Sequence, residues 1–164
     1  MDVQDLASVF AGILFLAALA TFAGWFHPHL GELYRRWGLA LAAAIAMGAT
    51  AGSLYFSEVA DFLPCELCWV QRIFMYPLAL ILPIAAIRKQ REIAFYGIVL
   101  AVVGLAVSIY HVQIQIWPKQ STSCDPFNPC SGKYVEALGF ATIPQMAGLS
   151  FVLIIAALIK QLRP

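Results

Sequence analysis

The sequence predicts an all-α protein that crosses a membrane several times, and three observations support this fold class. Of the 164 residues, 62% are hydrophobic and only 12% are charged. A soluble domain of this size cannot bury so much apolar surface, so lipid is the expected solvent. Five segments also reach the roughly 20 apolar residues that a hydrocarbon core requires. Each must be helical, because unsatisfied backbone groups are costly in lipid.

The five predicted spans form a single integral membrane domain that covers residues 1–164. Their predicted bounds are 6–26, 37–56, 68–87, 93–117 and 140–159. The first resembles a signal peptide in position, but the residues that precede it include Asp2 and Asp5 and no basic side chain. A cleaved signal carries positive charge there, so we expect a retained span. The net charge of +1 gives no basic field and argues against nucleic-acid binding.

The distribution of lysine and arginine predicts the orientation of the spans. Seven basic residues fall in the connections on one side: Arg35, Arg36, Arg88, Lys89, Arg91, Lys160 and Arg163. Only Lys119 and Lys133 fall on the other side. Cytoplasmic connections carry an excess of lysine and arginine. We therefore expect the N-terminus outside and the C-terminus in the cytoplasm.

Two cysteine pairs are the candidate redox groups. Cys65 and Cys68 form a Cys-x-x-Cys at the outer start of span three, where a helix N-terminus favours thiolate over thiol. Cys65 is expected to be the accessible sulfur, with Cys68 one turn deeper. Cys124 and Cys130 lie in the loop after span four. Two crossings separate the pairs, so they share one side, which the orientation makes the oxidising side.

Arg72 and His111 are the polar residues predicted to lie near the first pair. Arg72 follows Cys68 by four residues and shares its helix face, where it would stabilise a Cys68 thiolate or charge on a bound acceptor. The alternative is an arginine that reaches up to the outer headgroups. His111 would donate a hydrogen bond to a ligand carbonyl or carry a proton, or else bond to a neighbouring helix. Gln113 and Gln115 are weaker candidates.

The second pair would close a ring of seven residues that contains Pro126 and Pro129. One interpretation is an ordinary structural disulfide, worth about 2.4 kcal/mol for so short a loop. The other is an exchangeable disulfide, because two prolines restrict the ring and a strained, exposed disulfide exchanges readily. A zinc site of four cysteines is disfavoured, since the second pair lacks the Cys-x-x-Cys spacing.

Several further features bear on packing and on the electron acceptor. Gly48 and Gly52 predict close helix packing in span two, and Pro77 and Pro83 predict kinks in span three.

Four cysteines hold at most two disulfides, so continued turnover needs an external acceptor. The chain has no dinucleotide fingerprint and no haem-attachment motif. An acceptor that arrives through the lipid fits better, and quinone is the expected one.

At these residues the sequence resembles the DsbB family of bacterial disulfide bond formation proteins, and within it the BdbC branch. The resemblance rests on LYFSE at 54–58, PCELCW at 64–69, QRI at 71–73 and MYP at 75–77. It continues with SI at 108–109 before His111, PCSG at 129–132, GF at 139–140 and IP at 143–144. It extends from about residue 37 to the end of the chain. The ordered combination is far more specific than Cys-x-x-Cys alone.

The resemblance implies a four-helix bundle in the inner membrane of a bacterium and a relay of electrons. A DsbA-like thioredoxin-fold partner outside the membrane would attack Cys124. Cys130 would then exchange with Cys65, and Cys68 would pass electrons to ubiquinone or menaquinone beside Arg72. The same relay keeps the bacterial periplasm oxidising.

Two departures from the family and three rival functions remain open at this point. The span 6–26 is additional to the bundle, and Ile143 stands where the family has a quinone-lining methionine, so its contact with quinone is an open expectation. Vitamin K epoxide reductase-like quinone reductases share the bundle, but their loop pair precedes the Cys-x-x-Cys, the reverse of the order here. The other rivals are a non-enzymatic membrane protein with two structural disulfides and an exporter of reducing power.

Overall fold

The chain folds into five long helices. The structure is a computed structural model that describes residues 3–26, 28–118, 124–125 and 127–162, with the side chains of 25, 26 and 28–30 left aside. The helices are α1 (Val3–Phe26), α2 (Pro28–Leu54), α3 (Glu66–Arg88), α4 (Ile93–Ile116) and α5 (Ile143–Leu162). All five contain a segment long and apolar enough to cross a membrane. This confirms the predicted all-α, polytopic fold class for the described residues.

Helices α2 to α5 form a closed four-helix bundle, and α1 packs on its outside against α2 and α5. Glycines allow the close approaches inside this bundle. A Cβ at Gly38 would lie 2.6 Å from the carbonyl oxygen of Ala157, and one at Gly97 would lie 2.9 Å from the Leu158 side chain. A Cβ at Gly104 would collide with the buried ring of Phe151. The bundle therefore closes where glycine replaces a side chain.

The prediction of close packing at Gly48 and Gly52 was wrong. A Cβ at Gly48 would have no heavy atom within 4 Å, and one at Gly52 would lie 3.8 Å from the Phe10 ring, an ordinary contact distance. Both glycines instead line a cavity between the helices. Their missing side chains leave open space rather than a tight helix crossing.

Four of the five helix starts differ from the predicted spans, and α1 and α3 begin three and two residues earlier than predicted, at Val3 and Glu66. Helix α2 begins at Pro28 rather than at residue 37, so most of the expected connection before it is helical and carries the Glu32–Arg35 ion pair. Helix α5 begins at Ile143 rather than at residue 140. Thr142 precedes it, and the Thr142 backbone N–H donates to Gln145 Oε1 at 2.9 Å. This is half of a capping box, which fixes the first turn of α5.

The ends of α3 define the two faces of the molecule. Cys65 is the residue before the first turn of α3, and the helix continues through Pro77 and Pro83 to a left-handed cap at Lys89. A short π-helix, Tyr55–Val59, extends α2 toward the cysteine end. The cysteines thus lie at the opposite end of α3 from Arg88 and Lys89. The predictions for Asp2, Lys119, Pro126 and Arg163 lie outside the described residues.

Candidate active site

The two sulfurs of the Cys-x-x-Cys lie together at the start of α3. Cys65 Sγ and Cys68 Sγ are 2.9 Å apart, and both cysteines are free thiols. The expectation that Cys65 is the accessible sulfur was wrong, since its exposed fraction is only 4%. Cys65 packs in a buried cluster with Ile114 of α4 and Cys130 of the following loop. Cys68 is the half-buried member of the pair.

The loop after α4 brings the second cysteine pair onto the first. Cys124 and Cys130 form a disulfide, with their Cα atoms 5.9 Å apart. Cys130 is 1% exposed, whereas Cys124 is half-buried. The side chain of Asn128 donates to the carbonyl oxygen of Pro64 at 3.2 Å, immediately before Cys65. The loop is therefore anchored to the start of α3, with Cys130 inside and Cys124 toward solvent.

His111 connects the two pairs. Its Nε2 lies 3.0 Å from the carbonyl oxygen of Cys130 and 3.6 Å from Cys65 Sγ. A carbonyl oxygen only accepts, so Nε2 carries the proton in this contact. Within the described part of the chain, the buried Nδ1 has no hydrogen-bond partner. The geometry does not favour contact between His111 and a ligand carbonyl. Its side chain faces the cysteines and does not line the main cavity, which is the one that Gly48 and Gly52 line.

Cys65 is the sulfur on which negative charge is stabilised. It lies just outside the membrane-spanning segment of α3. The hydrogen bond from Cys68 holds the pKa of the Cys65 thiol well below its ordinary value, and the contact with His111 lowers it further, against the opposing effect of burial. When one of the two thiols has lost its proton, the other can donate to it across the 2.9 Å contact between the sulfurs. Charge can therefore move from Cys65 to Cys68 by a single proton transfer.

A cavity of about 120 Å³ opens on the other side of Cys68. Cys68, Arg72 and Ser53 form a polar end, and most of the remaining lining is apolar. Ile143 also lines this cavity. Apolar walls with a few convergent polar groups are typical of a small-molecule site. The Cys-x-x-Cys thus lies between the loop disulfide on one side and this cavity on the other.

Arg72 is held inside the bundle rather than at the headgroups. Its Nε donates to Ser53 Oγ at 3.0 Å and its Nη2 to the Ser53 carbonyl oxygen at 3.0 Å. The guanidinium carbon also lies 5.0 Å from the Trp69 ring centroid and 6.0 Å from that of Tyr76. These contacts argue against the headgroup interpretation. Two of its five N–H donors are used by Ser53, and the side chain lines the cavity.

Several polar residues that support the site were not predicted. Gln71 is buried and donates from Nε2 to Ser108 Oγ at 2.9 Å, which joins α3 to α4. Gln115, expected only as a weak candidate, accepts from Thr142 Oγ1 at 2.8 Å and donates to the Gly132 carbonyl at 3.3 Å. A polar side chain inside an apolar span is itself a signal of such a role. Asn128 gave no comparable signal.

Three side chains of this cluster also have the types and spacing that a metal site requires. Among the described residues, the ligand atoms of Cys65, Cys68 and His111 lie within 4.8 Å of one another. Two thiolates and an imidazole are ligands that zinc accepts. This set differs from the four-cysteine site considered above, and Cys124 and Cys130 are bonded to each other. A Cys65–Cys68 disulfide would remove two of the three ligands.

Comparisons with known proteins give a consistent result. The model of the family "Disulfide bond formation protein DsbB" matches residues 35–161. The chain is 46% identical over 125 residues to "Disulfide bond formation protein C" of Bacillus subtilis, which covers 75% of this chain and 86% of the relative. It is 47% identical over 109 residues to a "Probable disulfide formation protein" of Oceanobacillus iheyensis, covering 65% and 75%. No solved structure gives a significant match. The family match begins at Arg35, so α1 lies outside it.

Proposed function

Because the chain belongs to the DsbB family of disulfide bond formation proteins, we propose that it oxidises a DsbA-like thioredoxin-fold partner and passes the electrons to quinone. Family membership makes it a membrane thiol–disulfide oxidoreductase. One observation carries the finer proposal: Cys65 and Cys68 lie between the loop disulfide and an apolar cavity. A dithiol in that position is suited to relay electrons from one to the other.

The first step is exchange with the partner at Cys124. A partner thiolate attacks Cys124 Sγ, the Cys124–Cys130 bond breaks, and Cys130 leaves as a thiolate. The other cysteine thiolate of the same partner molecule then attacks the mixed disulfide and displaces Cys124. The partner is now oxidised, and both loop cysteines are reduced. The choice of Cys124 follows from access, because Cys130 is only 1% exposed and Cys124 is half-buried. Thiol–disulfide exchange depends on such access.

The second step transfers the electrons to the inner pair. The Cys130 thiolate attacks Cys65 Sγ of an oxidised Cys65–Cys68 pair, and Cys68 becomes the leaving thiolate. Cys124 then attacks Cys130, which restores the loop disulfide and releases Cys65. His111 supports this step because its Nε2 contacts both the Cys130 carbonyl and Cys65 Sγ. Its N–H would hold the reacting residues together and stabilise charge on Cys65.

The cavity residues fit a quinone. Arg72 provides guanidinium N–H donors for a carbonyl oxygen, Cys68 provides the sulfur, and the apolar lining that includes Ile143 suits a ring with a prenyl tail. A bound quinone would supply an acceptor for two electrons and two protons, which returns Cys65–Cys68 to the disulfide. Transfer of a proton from Cys68 to Cys65 would place the reacting charge beside the cavity. Ser53 would hold Arg72 in place during this step.

The proposed location is the cytoplasmic membrane of a bacterium, with the N-terminus and both cysteine pairs outside. The positive-inside rule supports this orientation, since Arg88, Lys89 and Arg91 lie between α3 and α4 at the end remote from the cysteines. The partner would then meet the loop on the oxidising side of the membrane.

The proposal is tested with purified protein, a reduced DsbA-like partner and a soluble short-chain quinone. We expect catalytic oxidation of the partner that depends on quinone, and loss of turnover in Cys68→Ser. A Cys130→Ser variant should accumulate a mixed disulfide between the partner and Cys124. Running the assay with a ubiquinone and with a menaquinone analogue distinguishes the two acceptors. Undiminished turnover in Cys68→Ser would overturn the relay.

A matched control separates loss of chemistry from loss of acceptor binding. Gly48 lines the cavity and has open space around it, so Gly48→Leu should fill the cavity without disturbing the helix backbone. This variant should still take two electrons from the partner into Cys65–Cys68 in a single turnover. Its quinone-dependent turnover should fall.

A further inference from the structure

Among the helices of the described residues, α1 alone lies wholly outside the family match, and its sequence gave no indication of its role. It packs against α2 and α5, beside the cavity that contains Cys68 and Arg72. Two of its side chains, Phe10 and Leu14, line that cavity. The helix is thus part of the candidate acceptor site and not only a membrane anchor.

The Phe10 ring of α1 lies next to Gly52 of α2. A Cβ placed on Gly52 would lie 3.8 Å from two atoms of the Phe10 ring. Gly52 and Gly48 both line the same cavity, so their missing side chains leave space next to this ring. Phe10 therefore forms part of the cavity wall beside this stretch of α2.

Contacts along its length hold α1 in this position. Ala7 and Ala11 are fully buried and pack in one cluster with Phe56 and Met146. Ser8 Oγ accepts a hydrogen bond from the backbone N–H of Leu138 at 3.3 Å. Near the other end, the hydroxyls of Thr21 and Tyr34 are 2.7 Å apart. A helix held at both ends can present fixed side chains to a ligand.

We propose that α1 completes the acceptor site, with Phe10 and Leu14 forming an apolar wall that contacts a prenylated quinone. This inference rests on the proposed function, since it concerns the acceptor of that relay. The wall would exclude phospholipid chains from the space beside Cys68 and would raise the affinity for the quinone. The remaining exposed face of α1, which includes Leu16 at 68% and Leu19 at 66% exposure, would face lipid.

Two binding measurements test this inference without relying on turnover. In the first, the full-length protein in detergent is photolabelled with an azidoquinone, and the labelled peptides are mapped by mass spectrometry. Label is expected on the α1 peptide that contains Phe10 and Leu14, as well as near Cys68. In the second, the Kd of a soluble short-chain quinone is measured by quenching of tryptophan fluorescence. Phe10→Ala and Leu14→Ala should each raise that Kd by about three- to tenfold, through lost packing contacts.

Leu16→Ala and Leu19→Ala are the matched controls, because they remove similar side chains from the lipid-facing side of the same helix. They should leave the Kd unchanged. Absence of label from α1, together with unchanged Kd values in Phe10→Ala and Leu14→Ala, would overturn the inference while the wild-type protein still binds quinone. If the wild-type protein binds no quinone, the acceptor proposal and this inference both fail. The labelling uses the wild-type chain, so it remains decisive if a variant does not fold.

Discussion

Asn128 joins the loop disulfide to the start of α3, and its removal gives a sharp test of how the two cysteine pairs are held together. Its Nδ2 donates to the Pro64 carbonyl at 3.2 Å, with a weaker contact of 3.5 Å to that of Leu63. Its Oδ1 accepts from the Tyr134 hydroxyl at 2.9 Å. Pro64 immediately precedes Cys65, so the bonds from Nδ2 hold the loop over the buried sulfur, and the bond to Tyr134 fixes the conformation of the docked loop itself.

Asn128→Ala removes both well-placed hydrogen bonds. At a net value of about 1 kcal/mol each, the docked loop would lose about 2 kcal/mol. A change of 1.36 kcal/mol corresponds to about tenfold in a rate. Transfer of electrons from the loop pair to Cys65–Cys68 should therefore slow by about 30-fold. The first exchange at Cys124 should change little, since that sulfur is accessible without the docked loop.

The assay follows a single turnover. Fully oxidised protein without quinone is mixed with one equivalent of reduced partner and quenched with acid at intervals. The free thiols are then tagged with a polymer-linked maleimide, so that reduction of the loop pair and of Cys65–Cys68 is resolved on gels. Glu136→Ala serves as the control, because this exposed residue lies in the same loop and its side chain forms a surface ion pair with Lys133. If Asn128→Ala transferred electrons from the loop pair to Cys65–Cys68 at the wild-type rate, the role assigned to Asn128 would be refuted.

Three further predictions concern proton uptake, partner docking and packing. The hydrogen bond from Cys68 and the contact with His111 lower the pKa of Cys65, so reduction of the Cys65–Cys68 disulfide should take up one proton rather than two. The midpoint potential of this disulfide should therefore fall by about 30 mV per pH unit between pH 6 and 8. A slope near 59 mV in a redox titration would contradict this. Phe127 is 98% exposed and follows Cys124 by three residues, so Phe127→Ala should raise the KM for the partner without changing the quinone KM. Gly104→Ala should cost about 1–3 kcal/mol and lower the Tm in detergent, whereas Gly48→Ala should not.

The common location of the two cysteine pairs could be predicted from sequence because it depends on counting. An even number of crossings separates the pairs, so they share a side whatever the exact helix ends are. The structure accordingly places Cys65 and Cys130 in one buried cluster. The position of Arg72 on the same face of α3 as Cys68 could also be predicted from sequence, because residues i and i+4 share a helix face. Both line the same cavity.

The burial of Cys65 and the direction of His111 could not be predicted in the same way. Cys65 is buried because a loop more than 60 residues away folds over it through Asn128, a contact that leaves no local pattern. The depth of His111 in the membrane follows from the helical rise, but the rotation of α4 does not. That rotation directs the imidazole to Cys65 and the Cys130 carbonyl and away from the main cavity.

The start of α5 also differs from the predicted span, but here the sequence contains a local signal that predicts the observed start. Thr142 and Gln145 have the spacing of a capping box, which marks the start of α5 more closely than hydropathy does. Hydropathy alone extended the span back to Phe140, because apolar residues continue before the helix. In contrast, Phe10 and Leu14 are two apolar residues among many in α1. Only the packing of α1 against α2 and α5 distinguishes them.

The central claim is that electrons pass between Cys130 and Cys65, and a double variant tests it most directly. With Cys68→Ser and Cys124→Ser, only these two cysteines remain in the chain. Under mild oxidation we expect them to form an intramolecular disulfide, detected by mass spectrometry as a single crosslink between the peptides that contain them. Two free thiols in a folded, membrane-inserted variant would contradict the relay.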